Sequence, residues 1–143
     1  MSATHPFRKA VEERDESAIA AMLADDVVFT SPVAFKPYVG KPITAAILRG
    51  VLRVFEDFRY VREIHDGNGR DHAFVFETGI CGAPGVKVSG CDFLHFNDDG
   101  LIQDFMVMVR PLSGATALAE AMGAQFERIQ REAVELADRF AKV

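Results

Sequence analysis

The chain of 143 residues has no tryptophan, only two cysteines and no stretch of 18 consecutive apolar residues. A membrane-spanning helix needs about 20 predominantly apolar residues, so the sequence predicts none. The N-terminal residues lack the basic start and apolar core of a secretory signal peptide, and we expect a cytoplasmic protein. Cys81 and Cys91 are not spaced as metal ligands or as a redox motif, which predicts two buried, reduced thiols.

Positive charge is also scarce. Lysine and arginine number 16 against 21 aspartate and glutamate residues, which gives a net charge of −5. A nucleic-acid-binding domain is typically basic, so nucleic acid is not expected as a partner. The 4 histidines are not placed with carboxylates at metal-ligand spacing, so we predict no metal site.

What the chain has in abundance is phenylalanine, with 12 residues in a composition that is 49% hydrophobic. The length fits one domain of common size, large enough to fold without a disulfide or a metal. Phenylalanine supplies bulk without a polar group, so many of these rings should line a core or an apolar pocket.

The order of the predicted elements indicates an α+β protein. Helices are expected at 7–14 and 16–24, a strand at 27–30, a loop at 33–40 and a third helix at 42–55. Strands at 58–65, 72–81, 86–96 and 101–110 follow, separated by turns rich in glycine, asparagine and proline. Helices followed by consecutive strands favour a mainly antiparallel sheet over alternating βαβ winding.

A last helix is expected at about 115–141, where apolar residues recur at gaps of three and four. Such a stripe is typical of a helix that packs on its own sheet or on a second copy of the chain. A helix lying on a membrane surface is the alternative, but its polar face would then be basic, whereas this one is mixed in sign.

Four segments, in this order, resemble the nuclear transport factor 2-like superfamily, and within it the SnoaL-like and ketosteroid isomerase group. They are ADDVVF at 24–29 followed by Ser31-Pro32, the Gly40-Lys41 entry to the third helix, CDFLHFNDDGLI at 91–102, and MVRPL at 108–112. The likeness covers about residues 5–112, and 113–143 would be a helical extension of the same domain. It implies N-terminal helices packed on a strongly curved, mainly antiparallel sheet, a cone-shaped α+β barrel around an apolar pocket.

Asp92 is the sharpest candidate for chemistry, because it interrupts an otherwise apolar strand. Period-two alternation places it on one face with Leu94 and Phe96, and a tight turn before this strand would set it opposite Phe76. A carboxyl among such side chains is desolvated, so its pKa should rise and it could act as an acid. The resemblance puts a functional acid at this position, while a hydrogen-bonded structural aspartate is the alternative.

The other isomerase groups implied by the resemblance are absent. Ser31 stands where the family has its proton-shuttling aspartate, and Phe7 stands where it has its oxyanion-hole tyrosine. Serine cannot act as a carboxylate base and phenylalanine donates no hydrogen bond, so a standard ketosteroid isomerase is not expected.

His72 or a water molecule is predicted to assist Asp92, since alternation places His72 on the Asp92 face, whereas His95 falls on the other face. The architecture predicts a pocket wall made of Phe7, Phe29, Ser31, Phe74, Phe76, Leu94, Phe105, Val107 and Val109. The opposite sheet face, with Cys91, Phe93, Met106 and Met108, is apolar as well, which favours a homodimer.

Two functions remain open at this point. The first is a pocket protein of SnoaL-like type that binds a small, apolar ring compound and, if it is an enzyme, acts without a cofactor as an isomerase, cyclase, dehydratase or hydrolase. The second is a non-catalytic ligand-binding or dimerisation module. The fold hosts both kinds of protein, so the resemblance alone does not choose between them.

Overall fold

Two short helices precede the sheet. The structure, a computed structural model, describes residues 4–142. Helix α1 (Pro6–Glu12) begins after His5, whose Nδ1 accepts a hydrogen bond from the N–H of Phe7, and α2 (Glu16–Ala21) begins after Asp15. These side chains satisfy backbone donors that the first turn of a helix leaves free. Residues 1–3 and Val143 lie outside the described range. The first belong to the N-terminal residues for which no signal peptide was expected, and Val143 ends the expected C-terminal extension.

A six-stranded sheet, curled but not closed, begins directly after these helices. Its strands are β1 (Leu23–Thr30), β2 (Tyr38–Val39), β3 (Phe55–His65), β4 (Asp71–Ile80), β5 (Lys87–Phe96) and β6 (Ile102–Arg110). They lie in the order β2-β1-β6-β5-β4-β3, and every neighbouring pair is antiparallel except β1 with β6. The expected α+β fold with a mainly antiparallel, curved sheet is confirmed.

Helix α3 (Lys41–Val54) packs against β1 and lies along the concave side of the sheet. It begins after Gly40, whose φ of 115° is strained for residues with a side chain, and Pro42 occupies its first turn. Its buried face includes Ala46 and Ile47. Five phenylalanines are at most 2% exposed, so the aromatic excess does form much of the core: Phe7, Phe29, Phe74, Phe76 and Phe105.

The C-terminal segment departs from the sequence-based expectation of one helix. It forms α4 (Leu112–Gly123) and α5 (Phe126–Ala141), separated by a short break. At the break, the side-chain amide of Gln125 donates to the Gly50 carbonyl at 2.9 Å and its oxygen accepts from Nε of Arg53 at 2.8 Å. The apolar spacing continues through the break, so periodicity could not reveal it.

Helix α5 is docked closely on α3. A Cβ at Gly50 would lie 2.8 Å from Cδ1 of Ile129, so the glycine provides the space that this side chain fills. Beside this contact, Glu132 receives hydrogen bonds from Arg49 at 3.1 Å and Arg53 at 2.8 Å. Ile129 is therefore buried within the chain itself, and this part of the stripe is not available to a second copy.

Two other expectations are corrected. Strand β1 begins at Leu23 instead of residue 27, because Leu23 pairs with Ile102 of β6. Cys81, expected to be buried, is exposed, since it follows the last paired residue of β4 and lies in a turn, and Cys91 is half-buried. No helix within residues 4–142 is long and apolar enough to cross a membrane.

Candidate functional site

A cavity of about 240 Å³ lies between the concave sheet face and the helices. Strands supply its floor, and α4 and α5 supply a roof that we define as Leu118, Met122, Phe126 and Ile129. Among the lining residues of the described chain, the only polar side chains are those of Ser31, Tyr38, Tyr60 and Asp92, and no lysine, arginine or histidine is present. The cavity is thus an apolar space with a single carboxyl group.

Asp92 points into the interior of the sheet. On β5, Gly90, Asp92 and Leu94 are buried while Phe93 is 37% exposed, as the period-two alternation predicts. Asp92 itself is 7% exposed. A buried carboxyl requires a hydrogen-bond partner to offset the loss of water.

That partner is Tyr60, whose hydroxyl donates to Oδ2 of Asp92 at 2.6 Å. The two residues belong to β3 and β5 and meet across β4, where Tyr60 pairs with Phe76 and Asp92 pairs with Phe74. Within residues 4–142, Oδ1 of Asp92 has no hydrogen-bond partner. One carboxyl oxygen is therefore held by the protein, and the other has no partner within the described chain.

The electrostatics of the pair follow from burial. Loss of solvation raises the pKa of Asp92 from 3.8 to about 7, and the Tyr60 hydrogen bond, which favours the carboxylate, offsets part of the rise. Burial, followed by the nearby Asp92 charge, raises the pKa of Tyr60 well above 10.0. Near neutral pH Asp92 can therefore either donate or accept a proton, whereas Tyr60 stays a donor.

Aromatic rings enclose the pair on several sides. The Phe58 ring meets Tyr60 edge-on with centroids 4.8 Å apart, and the rings of Phe7 and Phe74 lie at 6.3 and 5.8 Å from it. These rings make the surroundings of the pair largely apolar. A hydrogen bond gains strength in surroundings of low polarity.

Several of the predicted pocket residues do line the cavity. They are Phe7, Phe29, Ser31, Phe76, Phe105 and Val107, together with Asp92. Phe74, Leu94 and Val109 do not line it; Phe74 and Leu94 are buried in the core behind it, and Val109 packs partly buried against that core. The role of these residues in binding stays a prediction.

His72 is not brought together with Asp92. It lies opposite Leu94 at the far end of β4, where its Nδ1 is 2.6 Å from Nδ1 of His65 and its Nε2 is 3.2 Å from the carbonyl of Gly69. His5 packs on both, with ring centroids 5.8 Å from His65 and 4.8 Å from His72, so the three form a histidine cluster.

The predicted register between β4 and β5 was wrong by two residues. Sequence reasoning assumed one tight turn at residues 83–85 and paired Asp92 with Phe76. The connection instead contains two consecutive turns, closed by hydrogen bonds from Ala83 to Ile80 and from Val86 to Ala83, and it pairs Asp92 with Phe74. A shift by an even number of residues leaves every side chain on its predicted face.

Tyr60 and the roof were missed by sequence reasoning. Strand β3 contains irregularities in its pairing with β4 on both sides of Tyr60, so the cross-strand position of this tyrosine cannot be counted from a turn. One available signal was that only two tyrosines occur in the chain, and one lies within a predicted strand. No group of three or more potential ligands suited to a metal ion occurs among residues 4–142.

Comparisons with known proteins agree with this architecture. The family model for the SnoaL-like domain matches residues 5–105. The chain belongs to the SnoaL-like domain family. This family is part of the nuclear transport factor 2-like superfamily, so the resemblance stated from the sequence is confirmed. No curated protein matches the chain significantly.

Two solved structures share more than a third of the sequence. A steroid delta-isomerase from Pseudomonas aeruginosa is 40% identical over 87% of this chain and 89% of its own, with a TM-score of 0.79. A bacterial protein with a cystatin-like fold from Silicibacter pomeroyi is 38% identical over 84% and 82%, with a TM-score of 0.77. A putative SnoaL-like polyketide cyclase from Shewanella denitrificans shares the fold at 16% identity, over 84% and 93%, with a TM-score of 0.59.

Proposed function

We propose that this SnoaL-like protein binds a small, uncharged, largely apolar ring compound through an oxygen atom and transfers protons next to that oxygen, without a cofactor. The observation that carries the proposal is Asp92, a single buried carboxyl with one oxygen bonded to Tyr60 and the other facing an apolar cavity. A neutral Asp92 donates a hydrogen bond to a ligand carbonyl, and its carboxylate accepts a proton.

The lining of the cavity supports an uncharged ligand. Its described residues include no lysine, arginine or histidine that would offset the burial of an anionic group. The volume of about 240 Å³ lies near the small end of ligand sites, which span roughly 300–1,000 Å³. Compounds of one to a few fused rings with a ketone oxygen fit this combination of size and polarity.

The reaction class is proton transfer, of which isomerisation is the leading example. The steroid delta-isomerase similar to this chain supports that choice, but a dedicated steroid isomerase is not proposed. Ser31 and Phe7 both line the cavity and supply neither a carboxylate nor a donor comparable to tyrosine. Because His72 lies outside the cavity, water is the proposed assistant to Asp92.

The test measures exchange of the protons next to the carbonyl of tetralone, a two-ring ketone, in deuterated water by NMR. General acid–base catalysis by one group is worth roughly 10²–10⁴-fold, so Asp92→Asn should lower the rate by about that factor. His72→Asn is the matched control, and it should leave the rate unchanged. If the wild-type protein binds tetralone but does not accelerate exchange, the non-catalytic binding module is the correct alternative.

A homodimer is proposed as the assembly. The convex face of the sheet carries Phe93, 37% exposed, and Met108, 54% exposed, on adjacent strands. On the same face of β6, Arg110 and Asp104 are exposed near opposite ends, so a twofold axis across the strands would bring Arg110 of each copy to Asp104 of the other. Light scattering should give twice 15.7 kDa, and Met108→Glu should reduce it to one chain.

A further inference from the structure

Gly90 faces the ring of Phe76 directly across β4 and β5. A Cβ at position 90 would lie 2.3 Å from Cζ and 2.7 Å from Cε2 of that ring, and 2.9 Å from the backbone carbonyl of Met108. Both ring distances are far inside van der Waals contact, so the ring occupies the space that any other residue at position 90 would fill. The absence of a side chain at Gly90 thus allows the Phe76 ring to pack directly on the backbone of β5.

The other side of the same ring borders the cavity. Phe76 is 1% exposed and lines the cavity together with Tyr60 and Asp92. Its ring lies 5.1 Å from the ring of Phe58 and 6.3 Å from that of Tyr60, between centroids. The β5 backbone lies behind the Phe76 ring and these two rings lie beside it. A side chain at position 90 would therefore push the Phe76 ring towards the cavity.

We propose that the Gly90–Phe76 pair determines how deep the cavity is next to Asp92, and thereby the largest ring compound that can reach the carboxyl. Gly90 acts as a specificity-determining residue although its own atoms do not line the cavity. This inference rests on the proposed function, since it concerns the ligand that Asp92 would bind. It predicts that a single methyl group at position 90 excludes ligands by size without changing the polar group that recognises their oxygen.

The test uses three ketones of increasing size: cyclohexanone, tetralone and fluorenone. Their dissociation constants for the wild-type protein and for Gly90→Ala are measured by calorimetry, with ligand-induced thermal stabilisation as a second readout. Gly90→Ala should leave cyclohexanone binding within about twofold and weaken fluorenone binding by tenfold or more, in line with the 10–200-fold that one methylene is worth in an apolar pocket.

Gly114→Ala is the matched control. Its Cβ would lie 2.9 Å from Cγ2 of Val88 and 3.2 Å from the Lys87 carbonyl, so it also crowds β5, though less tightly than a Cβ at position 90, and Gly114 and Val88 do not line the cavity. Gly114→Ala should change the dissociation constants of the three ketones by the same factor. The double variant Gly90→Ala/Phe76→Leu replaces the displaced ring by a shorter side chain and should recover fluorenone binding.

The outcomes separate the two proposals. If no ketone binds the wild-type protein, the proposed function fails and the specificity inference fails with it. If all three bind but Gly90→Ala weakens them by the same factor, or Gly114→Ala shows the same size selectivity, the specificity inference alone is overturned. If Gly90→Ala does not fold, the single variant Phe76→Leu tests the inference instead. It should bind fluorenone more tightly relative to cyclohexanone than the wild type does, and an unchanged ratio of the two dissociation constants would overturn the inference.

Discussion

The concave face of the sheet carries polar groups at two places, and they differ in almost every physical respect. In the cavity, Asp92 and Tyr60 are 7% and 4% exposed, and each is the hydrogen-bond partner of the other. At the far end of the same strands, His65 is exposed while His5 and His72 are half-buried, and the 2.6 Å contact between His65 and His72 is exposed. A second cavity of about 340 Å³ adjoins that end.

The comparison shows that burial can bring the pKa of an aspartate into the range usual for histidine. Histidine is the ordinary choice for a base near neutral pH, yet the three imidazoles here are half-buried or exposed and lie outside the cavity. Asp92 is an ordinary acid by type, but desolvation raises its pKa to about 7. Replacing single residues at each place tests this difference, and the expected effects decrease in the order that follows.

The largest effect is expected from Asp92→Asn and concerns stability against pH. A folded pKa of about 7 against an unfolded 3.8 means that ionisation destabilises the fold as pH rises through this window, by on the order of 4 kcal/mol at 1.36 kcal/mol per unit. Asparagine avoids this cost and still accepts the Tyr60 hydrogen bond. Denaturant unfolding between pH 4 and pH 8 should show that the free energy of unfolding of the variant rises relative to that of the wild type as the pH increases.

A contrary result for this variant has a specific meaning. If Asp92→Asn lowers the free energy of unfolding by about 3–5 kcal/mol at neutral pH, the carboxylate belongs to a structural ion pair. The contrast between the cavity and the histidine cluster would then not hold.

Tyr60→Phe should have the next largest effect, again dependent on pH. The variant leaves Oδ2 of Asp92 without its donor, and hydrogen bonds to charged groups contribute about 1.5–3 kcal/mol against about 1 for neutral ones. Because that bond lowers the pKa of Asp92, its loss should cost more above pH 7, where the carboxylate is present, than at pH 5. A cost that does not vary with pH would argue against an ionising Asp92.

His5→Ala should cost about 1 kcal/mol at pH 8, the usual value of an N-cap, because Nδ1 of His5 accepts from the Phe7 N–H. Burial, then His72 and His65, lower the pKa of His5 below 6.5. Its neutral form is therefore the stabilising one, fully present above pH 6.5 and lost as pH falls. Thermal unfolding at pH 8 and pH 5 should show the penalty shrinking in acid, and an unchanged penalty would rule out the cap.

The smallest effect is expected from His72→Asn. The side chain is partly exposed and lies outside the cavity, and substitutions at such positions usually change stability by less than about 0.5 kcal/mol. Ketone binding and proton exchange should not change measurably. A loss of exchange as large as that of Asp92→Asn would restore His72 as the assisting base and connect the two regions.

Local patterns explain which parts of this site were accessible from the sequence. Alternation along β5 placed Asp92 and Leu94 inside correctly, because side-chain direction in a strand depends only on the neighbouring residues. The partner of Asp92 was not accessible, since Tyr60 reaches it across an intervening strand through irregular pairing. The roof was hidden for a similar reason: the break at Gln125 depends on contacts with Gly50 and Arg53, which are distant in the sequence.

The docking of α5 on α3 makes the roof a part of the cavity that can be altered separately from the carboxyl. The family model ends at residue 105, whereas Leu118, Met122 and Phe126 of the roof lie beyond it. The carboxyl and its tyrosine thus lie within the residues that the family model matches, and the roof lies outside them. Because Ile129 fills the space beside Gly50, a larger residue at position 50 should shift the roof and change the cavity while leaving Asp92 and Tyr60 in place.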